Sequence, residues 1–281
     1  NVAEDEDDAF QQIRDFLSFL PNTVREVASR VETGDDPERR PQELLEFVPT
    51  NRRQGYDARA LIRHVVDNGD FFEMRELYAS GLITGFARLD GWSVGVIGSD
   101  PMSKAGAMDG NAADKYTHFV DLCDTFNLPL LIFLDMPGFM LGSHAERIAT
   151  MRRGARALIA SAECQVPKIE FMVRKSYGVA ADAPNSIGLP DSINLRFGWP
   201  SGEWGGIPIE GGVAAAYRRE IEAAQDPDAH REAIEERLLR LRSPFRAEHR
   251  GDVVDLIDPR ETRSLACRFV NLAQPKLREL A

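Results

Sequence analysis

The sequence predicts an α/β fold. Wholly apolar runs such as Leu130 to Leu134 are typical of strands that are covered on both faces of a sheet. These runs alternate with segments whose apolar residues recur at helical spacing, and turns rich in glycine and alanine follow two of the runs directly. The order of strand, turn, helix, strand and turn is the rhythm of βαβ units in a largely parallel sheet.

The first part of the chain predicts a helix followed by a connecting segment. Apolar residues recur at helical spacing from Ala9 to Leu20, and Asp8 is a suitable N-cap. The charged, proline-containing stretch 31–57 predicts a linker that lies over a surface. We therefore predict a helix with a linker over residues 1–56 and a larger domain over residues 57–281.

The larger domain begins with a helix and a hairpin. Asp57 is placed to cap a helix from Ala58 to Val66. Two β-type runs beginning at Ile83 are joined by Asp90-Gly91, a strong signal for a two-residue hairpin turn. The further predicted elements are a helix over Asn111 to Phe126, the strand at Leu130, a helix over Glu146 to Cys164, strands within VPKIEFMVRK and NLRFGWP, and helices over Glu210 to Ala223, Pro227 to Arg242 and Pro259 to Leu280.

Composition excludes some classes of function. The net charge is −11, so no basic surface dominates and binding to nucleic acid through bulk charge is not expected. No run approaches the length of a membrane span, and the acidic start lacks the order of a signal peptide. We therefore expect a cytoplasmic or organelle-matrix protein, with no membrane partner. The three cysteines are far apart, which argues against a disulfide framework and a zinc site, and the apolar, helical patterns around Cys123 and Cys164 predict buried thiols.

Two turns are candidates for chemistry. Ligands of α/β domains gather beyond the carboxyl ends of strands, where small residues expose the backbone and helix starts offer unpaired N–H groups. Such groups can stabilise an oxyanion, although glycine after a strand is also ordinary turn chemistry. The first turn contains Gly138, Phe139 and Gly142; the second contains Tyr177, Gly178, Val179, Ala180 and Asp182.

The middle of the chain resembles a known family. The segments GFARLDGWSVGVIGSDP, KYTHFVDLCDTFNLPLLIFLDMPGFMLGS, RRGARALIASAECQVPKIEFMVRKSYGVAAD and WPSGE resemble the carboxyl-terminal half of biotin-dependent acyl-CoA carboxyltransferase β subunits, such as those of propionyl-CoA carboxylase. The late segment SPFRAEHRGDVVDLIDPRETR resembles the end of that family's domain. The resemblance extends over nearly the whole chain. It implies a crotonase-like ββα superhelix with helical amino- and carboxyl-terminal extensions, and a carboxyltransferase carboxyl-terminal domain over residues 57–281.

The resemblance also implies an activity and a division of labour. In the family, a carboxyl group moves between carboxybiotin and an acyl-CoA through an enolate, and two oxyanions are stabilised. The amino-terminal half holds the thioester oxygen, and the carboxyl-terminal half holds the ureido oxygen of biotin. By motif, Val179 and Ala180 match the backbone donors with Gly178 in their turn, and Asp182 matches a position associated with acyl-chain selection. The other implied biotin- or substrate-binding residues are Gly138, Phe139, Gly142 and Tyr177.

The implied partners follow from the missing half. We expect an amino-terminal carboxyltransferase half on a separate chain, a biotin carrier with its biotin carboxylase, and a hetero-oligomer. Whether that half is encoded separately or has been removed stays open. Of the charged residues, Lys115 is expected on a solvated helix face, with a CoA phosphate as the alternative. Arg174-Lys175 precede the second turn and suit either a bound anion or a salt bridge.

Three places depart from the family pattern. Val179 replaces the second glycine of the family's turn, and its branched side chain would disfavour a positive φ. Arg153 stands at the family's histidine position, and Trp204 and Pro208 stand in a normally smooth run. Two alternatives therefore remain: a biotin-independent acyl-CoA decarboxylase, hydrolase or lyase subunit of the same fold, and a non-catalytic scaffold subunit.

Overall fold

The computed structural model describes residues 1–185, 192–206, 209 and 212–281. Its strands and helices follow one another along the chain. The strands are β1 (Phe71–Met74), β2 (Leu82–Leu89), β3 (Trp92–Ser99), β4 (Leu130–Met136), β5 (Lys168–Tyr177), β6 (Asn194–Gly198), β7 (Glu203–Gly205) and β8 (Asp255–Leu256). The helices are α1 (Glu6–Ser18), α2 (Ala58–Val65), α3 (Gly110–Thr125), α4 (Ser143–Arg147), α5 (Thr150–Glu163), α6 (Gly178–Asp182), α7 (Gly212–Ala216), α8 (Arg218–Glu222), α9 (Pro227–Leu241), α10 (Pro244–His249) and α11 (Thr262–Leu280).

The described strands form one mixed sheet in the order β1-β2-β3-β4-β5-β6-β8. The first three strands are antiparallel, and β3 to β6 and β8 are parallel. Strand β7 pairs with the last residues of β5, beyond the point where β6 ends its pairing with that strand. This topology places the carboxyl ends of β4 and β5 side by side.

The apolar run in β4 is explained by burial on both faces of the sheet. Leu130 and Ile132 face a core formed largely with α3, whereas Leu131 and Phe133 face a second core formed with α2 and α11. Because successive side chains of a strand point to opposite faces, a strand between two helical layers needs apolar residues at every position. The prediction of a doubly covered strand is confirmed.

The hairpin at Asp90-Gly91 is also confirmed. Both residues have positive φ, 48° and 79°, as a type I′ turn requires. The carboxylate of Asp67 accepts hydrogen bonds from the backbone N–H groups of Asp90 (3.1 Å) and Gly91 (2.7 Å). A buried side chain from outside the hairpin therefore fixes its turn.

The amino-terminal helix is present, but its predicted cap is wrong. The helix begins at Glu6, and Asp5 caps it by accepting a hydrogen bond from the Asp8 N–H at 2.9 Å. Phe16 and Phe19 pack against Phe86 of the sheet, with ring centroids 5.8 and 5.7 Å apart. Residues of the predicted helix-plus-linker segment thus contact the core of the larger domain, and the boundary between residues 56 and 57 stays a prediction.

Two predicted long helices are broken. The helix predicted over Glu146 to Cys164 is two helices, because Ala149 is left-handed (φ 56°) and cannot continue an α-helix. The helix predicted from Glu210 begins outside the described residues. Its described part divides at Tyr217, whose ψ of 14° is not helical.

Some elements were not predicted. Strand β1 is a short edge strand whose four residues are all half-buried, so it shows no alternation. Helix α10 starts at Pro244, which was interpreted only as a break; proline is tolerated in the first turn of a helix, where its missing N–H would have no partner. Within the described ranges, no helix combines the length and the hydropathy needed to cross a bilayer.

The predicted environment of Lys115 is also wrong. Its side chain is 1% exposed, so it lies neither on a solvated helix face nor within reach of a phosphate. The ammonium group donates to the carbonyl oxygens of Arg75 (2.9 Å), Tyr78 (2.9 Å) and Leu82 (2.7 Å). Helical spacing places Lys115 on α3, but only the β1–β2 connection supplies the carbonyl groups that make its burial tolerable. The predicted burial of Cys123 and Cys164 is confirmed.

Candidate functional site

The two glycine-bearing turns meet at one edge of the sheet. They follow β4 and β5, which are adjacent and parallel. Gly138 has a φ of 121°, and a Cβ atom at this position would lie 3.5 Å from the carbonyl oxygen of Tyr177. The structure therefore brings together the two turns that the sequence singled out, with backbone from one turn directly facing the other.

An ion pair joins the two strands just before these turns. Asp135 accepts hydrogen bonds from the Nε of Arg174 (3.0 Å) and from the backbone N–H of Lys175 (3.1 Å). The side chains of Arg174 and Asp135 are 4% and 1% exposed, and their closest N–O distance is 2.9 Å. Of the two interpretations of Arg174, the salt bridge is therefore correct. This pair fixes the strand ends and so the spacing of the turns.

The first turn is held by the segment that precedes α3. The Met108 N–H donates to the Gly138 carbonyl at 3.0 Å, and the Met140 N–H donates to the Met108 carbonyl at 2.9 Å. The ring of Phe139 lies over Gly154 of α5, where a Cβ atom would collide with it. Gly142 precedes α4 with a φ of 108° and open space around its Cα. Phe139 is thus anchored on a helix, and Gly142 satisfies a backbone requirement.

The second turn places Gly178, Val179 and Ala180 at the start of α6. Gly178 has a φ of 63°, and a Cβ there would lie 3.3 Å from the Gly206 carbonyl oxygen. Val179 and Ala180 belong to the first turn of α6, where backbone N–H groups have no acceptor within the helix. Val179 is not among the residues with positive φ, so its branched side chain does not strain this turn. Its side chain is half exposed, whereas Ala180 is fully buried.

Tyr177 anchors the second turn from beneath. Its hydroxyl donates to the Oε2 of Glu203 at 2.6 Å and accepts a hydrogen bond from Arg242 at 3.0 Å. The guanidinium group of Arg242 also lies 4.7 Å from the ring centroid. Burial raises the pKa of the Tyr177 hydroxyl above its ordinary value, so the hydroxyl remains protonated. The side chain is fully buried, and at the turn Tyr177 presents only its backbone.

Asp182 lies at the end of α6, on the surface. Its side chain is 70% exposed and lies 3.9 Å from Arg196, whose Nε is 3.3 Å from the buried carboxylate of Glu170. Burial raises the pKa of Glu170, which the nearby Arg196 partly opposes. Asp182 is therefore the one acidic side chain of the second turn that a ligand can reach within the described residues.

The residues that depart from the family pattern contact neighbouring residues in the structure. Arg153 donates to Asn111 at 3.0 Å and lies 3.2 Å from Asp114, so it ties α5 to the start of α3. The ring of Trp204 covers Gly198 and Gly202, where added Cβ atoms would lie 2.9 and 2.6 Å from it. Pro208 lies outside the described residues. Arg153 and Trp204 thus fill space around the turns with side chains that contact their neighbours.

Sequence reasoning missed Glu203, Arg242 and Arg52. Glu203 accepts hydrogen bonds from both Tyr177 and Arg52, each at 2.6 Å. These residues come from three distant segments, and no motif or spacing connects them. The only available signal was that Glu203 lies within the WPSGE segment that resembles the family.

The chain matches one family model over its full length, residues 1–281, described as the carboxyl transferase domain. It is 41% identical over 264 residues to the carboxyltransferase subunit of propionyl-CoA carboxylase from Haloferax mediterranei, covering 94% of this chain and 51% of that protein. It is 42% identical over 263 residues to the methylmalonyl-CoA carboxyltransferase 12S subunit of Propionibacterium freudenreichii, covering 93% and 50%. The crystal structure of transcarboxylase 12S with methylmalonyl-coenzyme A and methylmalonic acid bound superimposes with a TM-score of 0.87 at 38% identity, covering 98% of this chain and 52% of that one.

The fold and the paired turns define a carboxyltransferase domain of the crotonase-like α/β class, as the sequence predicted. The chain belongs to the carboxyl transferase domain family. It spans about half the length of the curated relatives that it matches.

Proposed function

We propose that this chain is the biotin-side, carboxyl-terminal half of an acyl-CoA carboxyltransferase. The observation that carries the proposal is the meeting of the two turns, with the Cβ position of Gly138 3.5 Å from the Tyr177 carbonyl and the start of α6 beside it. Family membership supports the same assignment, since relatives with this domain are named for carboxyl transfer on propionyl-CoA and methylmalonyl-CoA.

The residues present fit biotin. The missing side chains of Gly138 and Gly178 let backbone carbonyl oxygens of Tyr177 and Gly206 pack close to them, and Gly206 itself has open space around its Cα where a flat ring can approach. Gly138, Gly178, Val179 and Ala180 would hold the ring. When bound, biotin supplies the carboxyl group and accepts it in the reverse direction.

The chain itself supplies hydrogen-bond donors. The N–H groups of Val179 and Ala180 are proposed to donate to the ureido oxygen, on which negative charge develops during transfer. Removing one such donor costs about 2.7–4 kcal/mol of barrier in other enzymes with oxyanion holes. The Asp135–Arg174 ion pair holds the two turns at a fixed separation before the ligand arrives.

The other oxyanion, on the thioester, needs a second set of donors. We propose that an amino-terminal carboxyltransferase half on another chain supplies them, and that biotin arrives on a carrier protein charged by a biotin carboxylase. This chain alone would then be nearly inactive, because one unstabilised oxyanion is enough to slow the reaction by orders of magnitude.

The test is carboxyl exchange in a reconstituted pair. The chain would be mixed with the amino-terminal half of a relative, and transfer of labelled carboxyl from methylmalonyl-CoA to free biotin would be measured. We expect transfer from the mixture and none from either half. Robust transfer by the isolated chain would contradict the need for a second half, and a stable complex without transfer would contradict the carboxyltransferase proposal.

A biotin-independent decarboxylase is the second candidate. It is favoured by Val179, whose half-exposed side chain stands beside the backbone donors where the family has glycine. In that case the same mixture would release CO2 from methylmalonyl-CoA at a rate that added biotin does not change. A Val179→Gly variant would make transfer to biotin faster if the side chain only obstructs the ring.

A further inference from the structure

We infer that Glu203 is a positioning residue for the backbone donors of the second turn, and that it acts through the hydroxyl of Tyr177. The inference rests on the proposed function, in which the N–H groups of Val179 and Ala180 are those donors. Glu203 is the first residue of β7, and its Oε2 accepts the 2.6 Å hydrogen bond from Tyr177, the last residue of β5. The next residue along the chain is Gly178, where α6 with its donors begins.

The start of α6 needs support from outside because glycine alone does not fix its direction. Gly178 has a φ of 63°, and a glycine backbone enters and leaves this region easily. Oxyanion donors lower a barrier only when they are held where the charge develops, and a displacement of about 1 Å can cost about 10²-fold in rate. The residues that pack around Gly178 must therefore determine where the following N–H groups point.

Strand β7 lies alongside this part of the chain. It pairs in parallel with the last three residues of β5 and so extends the sheet up to the second turn. The Cβ position of Gly205 lies 3.2 Å from the ring of Tyr177, and the carbonyl oxygen of Gly206 lies 3.3 Å from the Cβ position of Gly178. Through these contacts and its side-chain bond to the tyrosine hydroxyl, β7 holds the residue that precedes the turn.

The hydrogen bonds around the hydroxyl give the carboxylate of Glu203 a specific role. A guanidinium group can only donate, so the bond from Arg242 uses a lone pair of the Tyr177 oxygen, and the hydroxyl proton is directed to Glu203. A hydroxyl binds a carboxylate more strongly than a neutral acceptor. Arg52, which precedes α2 in the chain, donates to the same Oε2 at 2.6 Å and holds the carboxylate in place. Loss of the carboxylate charge should therefore loosen Tyr177 and, with it, the start of α6.

The test compares Glu203→Gln with Glu73→Gln in the reconstituted pair. Glutamine keeps the size of the side chain but removes its charge, so we expect Glu203→Gln to lower kcat for carboxyl transfer from methylmalonyl-CoA to free biotin about tenfold. Glu73 is the matched control on β1, because its carboxylate is similarly buried (12% exposed against 19%) and is bound to an arginine at 2.7 Å. Glu73→Gln should keep the wild-type kcat. Equal kcat values for the two variants would overturn the inference.

A double substitution tests whether the effect of Glu203 passes through the hydroxyl of Tyr177. Tyr177→Phe removes the hydroxyl and should by itself lower kcat about tenfold. If the carboxylate acts through that hydroxyl, adding Glu203→Gln should change kcat little further, so that the double variant also loses about tenfold. Independent effects would multiply to about a hundredfold loss, and that result would overturn the inference.

Hydrogen exchange tests the positioning without any transfer chemistry. The Ala183 N–H donates to the Val179 carbonyl, so its exchange rate in the isolated chain reports the opening of α6. Glu203→Gln should speed this exchange about tenfold and leave the amides of β2 and β3 unchanged, whereas Glu73→Gln should not speed it. A wild-type exchange rate at Ala183 in Glu203→Gln would overturn the inference. Absence of transfer by the wild-type pair would instead contradict the proposed function.

Discussion

The hydroxyl of Tyr177 donates a 2.6 Å hydrogen bond to the carboxylate of Glu203, beneath the turn that begins at Gly178. The pair links the last residue of β5 to β7, and Arg242 donates to the same hydroxyl. Tyr177, at the end of a parallel strand, is thus held in place by its buried hydroxyl. The hydrogen-bond partners of that hydroxyl, Glu203 and Arg242, are distant from it in the sequence.

Removing this hydroxyl should destabilise the fold modestly. Tyr177→Phe keeps the ring and its contact with Arg242, but leaves Glu203 with one donor fewer, so we expect the free energy of unfolding to fall by about 1 kcal/mol. Urea denaturation would measure it. Tyr78→Phe, at a 41% exposed tyrosine, is the control and should change little. Equal effects of the two substitutions would show that the Tyr177 hydroxyl has no special role.

Breaking the buried ion pair of Arg263 and Asp67 should lower the free energy of unfolding far more. Their atoms are 2.9 Å apart, with side chains 0% and 1% exposed. Arg263→Met removes the cation beside the buried Asp67 carboxylate, which keeps only its neutral hydrogen-bond donors, and we expect a loss of about 3–5 kcal/mol in unfolding free energy. Arg268→Met is the control on the same helix, at a 62% exposed arginine paired with Glu38, and should leave stability close to wild type. A small effect at Arg263 would contradict the assigned role.

The burial of Lys115 should make the protein more stable as the pH rises. Burial lowers its pKa from 10.5 to about 8, so between these values the unfolded chain binds more protons than the folded one. The free energy of unfolding should therefore increase through this window as the folded state loses the penalty of a buried charge.

The comparison with Lys115→Met isolates this contribution from other titrating groups. Urea denaturation of both proteins at about pH 7 and about pH 9.5 would measure it, and the stability of wild type relative to the variant should rise with pH. A constant or falling difference would show that the three carbonyl groups around the ammonium hold its pKa near the ordinary value.

The proposed backbone donors have a direct test in the reconstituted pair. Val179→Pro removes one N–H at the second position of α6, where proline is tolerated, and we expect kcat for carboxyl transfer to fall by about 10²–10³-fold. Val179→Ala keeps the N–H and should retain most of the activity. Unchanged thermal unfolding of both variants would separate the effect from folding, and wild-type kcat in Val179→Pro would exclude Val179 as a donor.

Local patterns predicted several elements of the fold well. The turn at Asp90-Gly91 and the doubly buried strand β4 depend on a left-handed turn and on an unbroken apolar run, both of which are visible in a few consecutive residues. The predictions of an unbroken helix through Ala149 and of a solvated Lys115 were wrong. Helical spacing specifies which residues share a face of a helix, but not what packs against that face. The helix is capped by Asp5 and not by the predicted Asp8, because both aspartates are equally suitable N-caps by residue type.

The sequence by itself determined the fold class, the family and the two turns. Strand burial, turn conformation and family motifs each depend on a few consecutive residues, so they can be recognised without the tertiary structure. Only the tertiary structure decided what those turns touch. Tyr177 and Arg242 are 65 residues apart, and Arg263 and Asp67 are 196 apart, so the packing of distant segments, and no local period, brings each pair together. The contacts of Glu203 with Arg52 and Tyr177 arise in the same way, from segments that meet only in the folded chain.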